Sequence, residues 1–316
     1  MAARSLEERL AALRAVDATT PQGKKALREA IKSTTGILIA TAAKHVAEHN
    51  LADLVPDLVD AFERLCGDQA VKRDPGCRGK TAIARALHAL DHWDDRIFVA
   101  GLRVVQREGF DGEDMAAELR GICGLAHAHF ARNDALDVLA ELLVDRTRTA
   151  RVAAAQAIGD AGRADASALL RLKLRIGDDD PEVLAACIES LLSLSREAAH
   201  DFVIGLLAKH DDRAEAAALA LGGARIASAL EPLRAWCLGC SAEQRRRVGY
   251  LAIALLRSDD GNAYLLDLVS TAARGDAVAA AQALATFKET IADKLRSAAR
   301  AHKDVAVRRD VDALLT

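Results

Sequence analysis

The feature that most constrains this chain is a register that returns about every thirty residues through its C-terminal half. A small residue followed by a branched apolar one recurs at Ala157-Ile158, Ser190-Leu191, Ala220-Leu221, Ala252-Ile253, Ala283-Leu284 and Ala313-Leu314. From one branched residue to the next the steps are 33, 30, 32, 31 and 30 residues. The neighbouring apolar residues keep helical spacing, as Val183, Cys187 and Leu191 do on one stripe with Leu184 and Ile188 beside it. A unit of this length holds two helices and cannot bury its apolar face alone, so successive units must stack. The expected fold is all-α, a right-handed α-α superhelix of about eight or nine helix pairs. Ala126-His127 lies 31 residues before Ala157-Ile158 and continues the period, whereas Ala86-Leu87 stands 40 residues earlier again. Residues 1–133 therefore read as less regular helical repeats with an inserted loop at 67–79. Residues 134–316 read as regular repeats, and the whole as one continuous solenoid.

Composition points the same way. Hydrophobic residues make up 51% of the chain, much of it Ala and Leu, with five Pro and 3% aromatics. That mixture favours helices and offers little from which to build sheets. The 43 basic and 46 acidic residues leave a net charge of −3, which argues against a surface built wholly for nucleic acid or anionic membrane. Met1–Leu10 carries Arg4, Glu7, Glu8 and Arg9 and so lacks a signal-peptide core. No stretch reaches the roughly 20 uncharged apolar residues of a membrane span. Cys66, Cys77, Cys123, Cys187, Cys237 and Cys240 are scattered, several at apolar helical positions. Reduced thiols in a cytoplasmic protein are the expectation.

Punctuation places the helices. The expected elements are a helix over Ser5–Val16, a second opened by Thr20-Pro21, then Thr35–His49 and Leu51–Cys66. Gly67–Gly79, with Asp74-Pro75-Gly76, reads as the loop. Thr81–Leu90, Arg96–Glu108 and Glu113–Phe130 follow, the last two separated by Gly109 and an Asp111-Gly112 turn. Farther on, Asp178-Asp179-Asp180-Pro181, Asp211-Asp212, Asp276 and Asp304 read as acidic turns that cap helices. Gly162, Gly177, Gly239 and Gly275 fit helix ends.

An acidic turn followed by Val-Leu-Ala-Ala or Val-Ala-Ala-Ala resembles HEAT repeats of the short, phycobilisome-lyase-like type. The best copies are Asp180–Leu192, Asp276–Leu284 and Asp304–Leu314. Tetratricopeptide repeats would need aromatic packing positions, and ankyrin repeats a Thr-Pro-Leu-His signature; neither is present. The block Lys72-Arg73-Asp74-Pro75-Gly76-Cys77, continuing to Lys80-Thr81-Ala82-Ile83, is similar to a segment of uncharacterised bacterial HEAT-repeat proteins. The resemblance implies a fold that hosts scaffolds, bilin lyase subunits, a di-iron hydroxylase and DNA glycosylases, so it does not choose among them.

Several groups carry candidate chemistry. Cys77, flanked by Arg78 and Lys80 before a helix start, has the setting of a thiol with lowered pKa, against the plainer reading of a packed loop cysteine. Asp74, Cys77 and Lys80 are the expected binding residues. Gly79-Lys80-Thr81 resembles the end of a phosphate loop, but Asp74 stands where a Gly is required and no strand precedes it. Trp236-Cys237-Leu238-Gly239-Cys240 has redox-motif spacing, but it ends a helix, which favours structural thiols. His45 and His49, like His88 and His92, are four apart and share a helix face, followed by His127 and His129. His45-Val-Ala-Glu48-His49 matches an inverted zinc-protease pattern in its letters. Equivalent surface histidines in equivalent repeats are the expectation, with no metal. Lys24-Lys25-Arg28, Arg146-Arg148-Arg151, Arg171-Lys173-Arg175 and Arg245-Arg246-Arg247 do not repeat a cation at one register, as a phosphate track would require.

No convergent catalytic set emerges. The expected function is a cytoplasmic, non-catalytic scaffold that presents a concave helical surface to a protein partner, with no cofactor, membrane or nucleic acid. A bilin-lyase-like enzyme or cofactor chaperone, binding a tetrapyrrole or its carrier protein, is the alternative. A nucleic-acid-binding HEAT-like protein is the third.

Overall fold

Short capping side chains set where the helices begin. In the computed structural model, Ser5 and Glu8 form a reciprocal capping box, and the Thr20 hydroxyl accepts from Gly23 N ahead of Pro21. Asp180 and Asp211 likewise accept from amides of the helices they open. The structure describes residues 5–67 and 69–315, apart from the side chains of residues 196, 288 and 289. Arg4, Asp68 within the expected loop, and Thr316 at the end of the last repeat lie outside the described residues.

The chain divides into two compact units, Met1–Ala166 and Ser167–Thr316. The first unit contains α1 (Leu6–Arg14), α2 (Pro21–Ile31), α3 (Gly36–Glu48), α4 (Val55–Leu65), α5 (Ala70–Arg73), α6 (Arg78–Ala89) and α7 (Asp95–Gly101). Two short strands follow, β1 (Arg107–Glu108) and β2 (Glu113–Asp114), then α8 (Ala117–His129), α9 (Ala135–Leu142) and α10 (Arg148–Asp160). Helices α3, α6, α8 and α10 stack in order, and α2, α4, α7 and α9 pack beside them.

The second unit contains α11 (Ser167–Ile176), α12 (Pro181–Leu194), α13 (Arg196–Leu206), α14 (Asp212–Gly223) and α15 (Leu230–Gly239). It continues with α16 (Glu243–Leu255), α17 (Asp259–Thr271), α18 (Arg274–Ala285), α19 (Lys288–Ala301) and α20 (Val305–Leu315). Here the even-numbered helices α12 to α20 form one row, each pairing with the helix before it. Both units are therefore stacks of antiparallel helix pairs, and among the described residues no helix is long and apolar enough to cross a membrane.

The thirty-residue register falls on alternate helices, α10, α12, α14, α16, α18 and α20. In the first five its branched residue is buried: Ile158, Leu191, Leu221, Ile253 and Leu284. Each such side chain is worth roughly 1.5–3 kcal/mol of burial. Close backbone approach is seen beside one copy. At Gly222, beside Leu221, an added Cβ would lie 2.3 Å from the Ala252 carbonyl oxygen of α16. The sixth copy departs from the rule: Ala313 is exposed and Leu314 only partly covered.

Three segments correct the sequence reading. Residues 67–79 are not a structureless loop: α5 and a 3-10 turn at Pro75–Cys77 occupy most of the described part, and α6 begins at Arg78 rather than Thr81. The helix expected over Arg96–Glu108 stops at Gly101, and that expected from Glu113 starts at Ala117. Between them the chain forms an antiparallel hairpin pairing Arg107 with Asp114 and Glu108 with Glu113, its turn bounded by Gly109 and Gly112, both at positive φ. Gly162 and Gly177 adopt the left-handed conformation of a helix end, whereas Gly239 is the last residue of α15 and Gly275 lies in the first turn of α18 without it. Asp276 also lies inside α18, where it accepts from Arg246 Nε at 2.8 Å and Tyr250 Oη at 3.2 Å.

Candidate functional site

The irregular segment of the first unit is held by one buried carboxylate. Asp74 accepts from Gly79 N at 2.6 Å and Lys80 N at 3.1 Å, so it caps α6 from outside the helix. Lys80 Nζ donates to Asp74 Oδ2 at 2.9 Å and to the Leu65 carbonyl, at the end of α4, at 3.3 Å. Both side chains are fully buried. Gly36 and Gly79 make the approach possible: a Cβ at Gly36 would lie 2.2 Å from Asp74 Oδ1, and one at Gly79 would lie 3.0 Å from it. The pair thus pins the start of α6 to the end of α4 and to the start of α3.

The hairpin latches onto the same segment. Gln106 Nε2 donates to the Asp74 carbonyl at 2.7 Å, and Glu108 Oε1 accepts from Gly76 N at 2.8 Å and Gln106 Nε2 at 2.6 Å. Arg120 of α8 fixes the hairpin's far strand. Its buried guanidinium donates to Asp114 at 2.8 Å, the Val104 carbonyl at 2.9 Å and Asp145 at 2.9 and 3.0 Å. Burial pushes the Arg120 pKa down, but the two carboxylates outweigh it and the net shift is upward. Among the described residues Gln106 Oε1 is buried without a partner.

The outer side of this pinned segment lines a groove of about 780 Å³. Lys72, Arg73 and Arg78 bring three cations to it, against one lining carboxylate, Glu108, which the backbone already engages. Ile37, Pro75 and Met115 supply apolar surface, and Leu6, Thr34 and Thr35 complete one wall. At the turn of the same hairpin Phe110 is fully exposed.

None of the three expected binding side chains, Asp74, Cys77 and Lys80, reaches this surface; all are buried beneath its backbone. Cys77 is fully buried. It does precede α6, with φ at +54°, but burial pushes its thiol up to about 12, outweighing the nearby Lys80 charge. Such a shift disfavours the thiolate, the nucleophilic form of Cys77.

The remaining candidates separate. Cys237 and Cys240 are buried, and burial raises both, Cys237 to about 12; Cys240 Sγ lies 3.4 Å from His210 Nδ1. His88 packs against His129 with ring centroids 4.9 Å apart, and His129 Nε2 bonds Asp91 at 2.8 Å. His127 is buried, donating from Nδ1 to the Cys123 carbonyl at 2.7 Å with its edge on Trp93. Among the described residues one group of three brings its donor atoms together, His45, Glu48 and His49.

The basic clusters are drawn into the protein's own ion pairs. Lys24 and Arg28 meet Asp53 and Asp57, Lys173 meets Asp178, and Arg245, Arg246 and Arg247 meet Glu215, Asp276 and Glu243. Arg171 lies over the Phe202 ring. A second hollow, of about 490 Å³ among Asp178, Asp179, Asp211, Asp212 and Arg213, is lined by helix caps already paired with cations at Asp178 and Asp211.

Sequence reasoning missed Gln106, Glu108 and Arg120. Asp111-Gly112 marks a turn in the sequence, but the charged residues on either side carry no alternating apolar pattern to mark the strands.

No family model matches the chain, and no curated protein matches it. Among solved structures it is similar to a crystal structure described as an engineered protein, at 16% identity and a TM-score of 0.38, covering 98% of this chain and 94% of that one.

Proposed function

We propose that the chain is a non-catalytic protein-interaction scaffold of the HEAT type, its helix pairs winding as right-handed superhelices. Its docking surface is the groove bounded by α3, the 69–78 segment and the hairpin. The partner segment is an acidic peptide with apolar side chains. The observation that carries this reading is the convergence of Lys72, Arg73 and Arg78 with Ile37, Pro75 and Met115 on one lining. Hydrogen bonds from Gln106 and to Glu108 fix the backbone there before any partner arrives, which lowers the ordering cost of binding. Phe110 offers the kind of exposed aromatic anchor that dominates interface energies. Six cysteines without a disulfide fit a reducing compartment, the cytoplasm.

Peptide display against the immobilised full chain tests the reading. Enriched sequences should combine Asp or Glu with apolar residues, and the enrichment should vanish on K72E/R73E/R78E. No enrichment, enrichment that survives the triple charge reversal, or a preference for single-stranded nucleic acid over every peptide would overturn it.

A further inference from the structure

The sequence pattern that the docking surface leaves unused lies at the other end of α3. His45 and Glu48 lie in its last turn and His49 is its C-cap. One donor atom from each of the three lies within 4.8 Å of the other two, and this is the one such group of three among the described residues. The two imidazole rings lie side by side, 5.9 Å between centroids with planes 10° apart. Helical spacing of four residues brings them together.

Two further observations favour a cation there. The carbonyl end of a helix carries partial negative charge, and the group sits at that end. His45 Nδ1 is buried without a hydrogen-bond partner among the described residues. An orphaned buried nitrogen is costly, so this ring carries bonding capacity that the fold itself leaves unused. The competing contact is weak: Glu48 pairs with Lys44 at 3.7 Å, with both side chains largely exposed.

We propose that His45, Glu48 and His49 form a zinc(II) site at the C-terminal end of α3. Two imidazoles and one carboxylate match the donors that zinc takes, and three protein ligands leave a fourth position open to water or to an outside donor. The magnesium and calcium alternatives prefer all-oxygen shells and do not fit two nitrogens.

The test is a titration of the chelator-stripped full chain with zinc alone, against a chromophoric chelator. Expected results are one ion per chain, a melting temperature that rises with zinc, and loss of both in H45A and in H49A. E48Q, which keeps shape and removes only the charge, should weaken binding without abolishing it. H129A, which breaks the other histidine pair, should bind as the wild type does. Circular dichroism of each variant shows that the fold is kept. Absence of binding by the wild type, binding that survives in H45A/H49A, or loss confined to H129A would overturn the proposal. All of these outcomes are independent of the peptide-display result.

Discussion

Lys80 Nζ lies 2.9 Å from Asp74 Oδ2, and neither side chain exposes any surface. An exposed pair at this distance would contribute little, but a buried one is costly to break, because the surviving charge has no solvent. K80M should destabilise the first unit by about 3–5 kcal/mol. D74N/K80M should lose less than the sum of the two single changes. Urea unfolding of the four proteins gives this coupling directly; strict additivity would mean that the pair does not act as a unit.

The contrast between regular and irregular parts explains what could be read from the letters. The register of Leu191, Leu221, Ile253 and Leu284 is legible because every copy faces the same environment, a neighbouring helix, and so repeats the same residue class. Asp74, Lys80 and Gln106 are each used once. Their roles depend on contacts 6 and 32 residues apart, which no local pattern encodes. The letters around Cys77 leave a reactive thiol and a packed one both open, because charge is visible in a sequence and burial is not. Lys72, Arg73 and Arg78 are visible in the sequence, but only the pinned backbone turns them onto one surface while sending Asp74 and Lys80 beneath it.

Close approach in the second unit makes Gly222 sensitive. The Ala252 carbonyl oxygen stands 2.3 Å from where its Cβ would be, and carbonyls do not rotate away as side chains do. G222A should destabilise by about 1–3 kcal/mol despite alanine's better helix propensity. Thermal unfolding checks it; unchanged or raised stability would show that α14 and α16 do not meet there.

Thiol chemistry separates exposed from buried cysteines. Cys66 is exposed, whereas Cys77, Cys187 and Cys237 are buried and pushed up to about 12. At neutral pH a maleimide should label Cys66 first and the other three only as the fold opens. Peptide mapping after brief labelling reads this out. Early modification of Cys77 would restore the reactive-loop reading.

Acid should loosen the Arg120 hub. Burial alone would raise the pKa of Asp114 and Asp145, but amide hydrogen bonds and the Arg120 guanidinium more than offset it, leaving both below 3.8. A carboxylate whose folded-state pKa is lowered adds stability that is complete above its unfolded value. That stability is lost as the pH falls through the folded value. In R120M stability should be lower at neutral pH, and its decline below about pH 4 should be shallower than in the wild type. Parallel denaturant midpoints from pH 3 to pH 7 measure both; parallel curves would contradict the linkage.

The most direct test of the docking groove is the affinity of one display-selected acidic peptide for the full chain, by fluorescence anisotropy. Wild type is compared with R73E/R78E at matched melting temperature. The groove account predicts at least a tenfold weaker dissociation constant for the variant, about 1.4 kcal/mol. It also predicts that wild-type binding weakens with added salt. Equal affinities in the two proteins would contradict it.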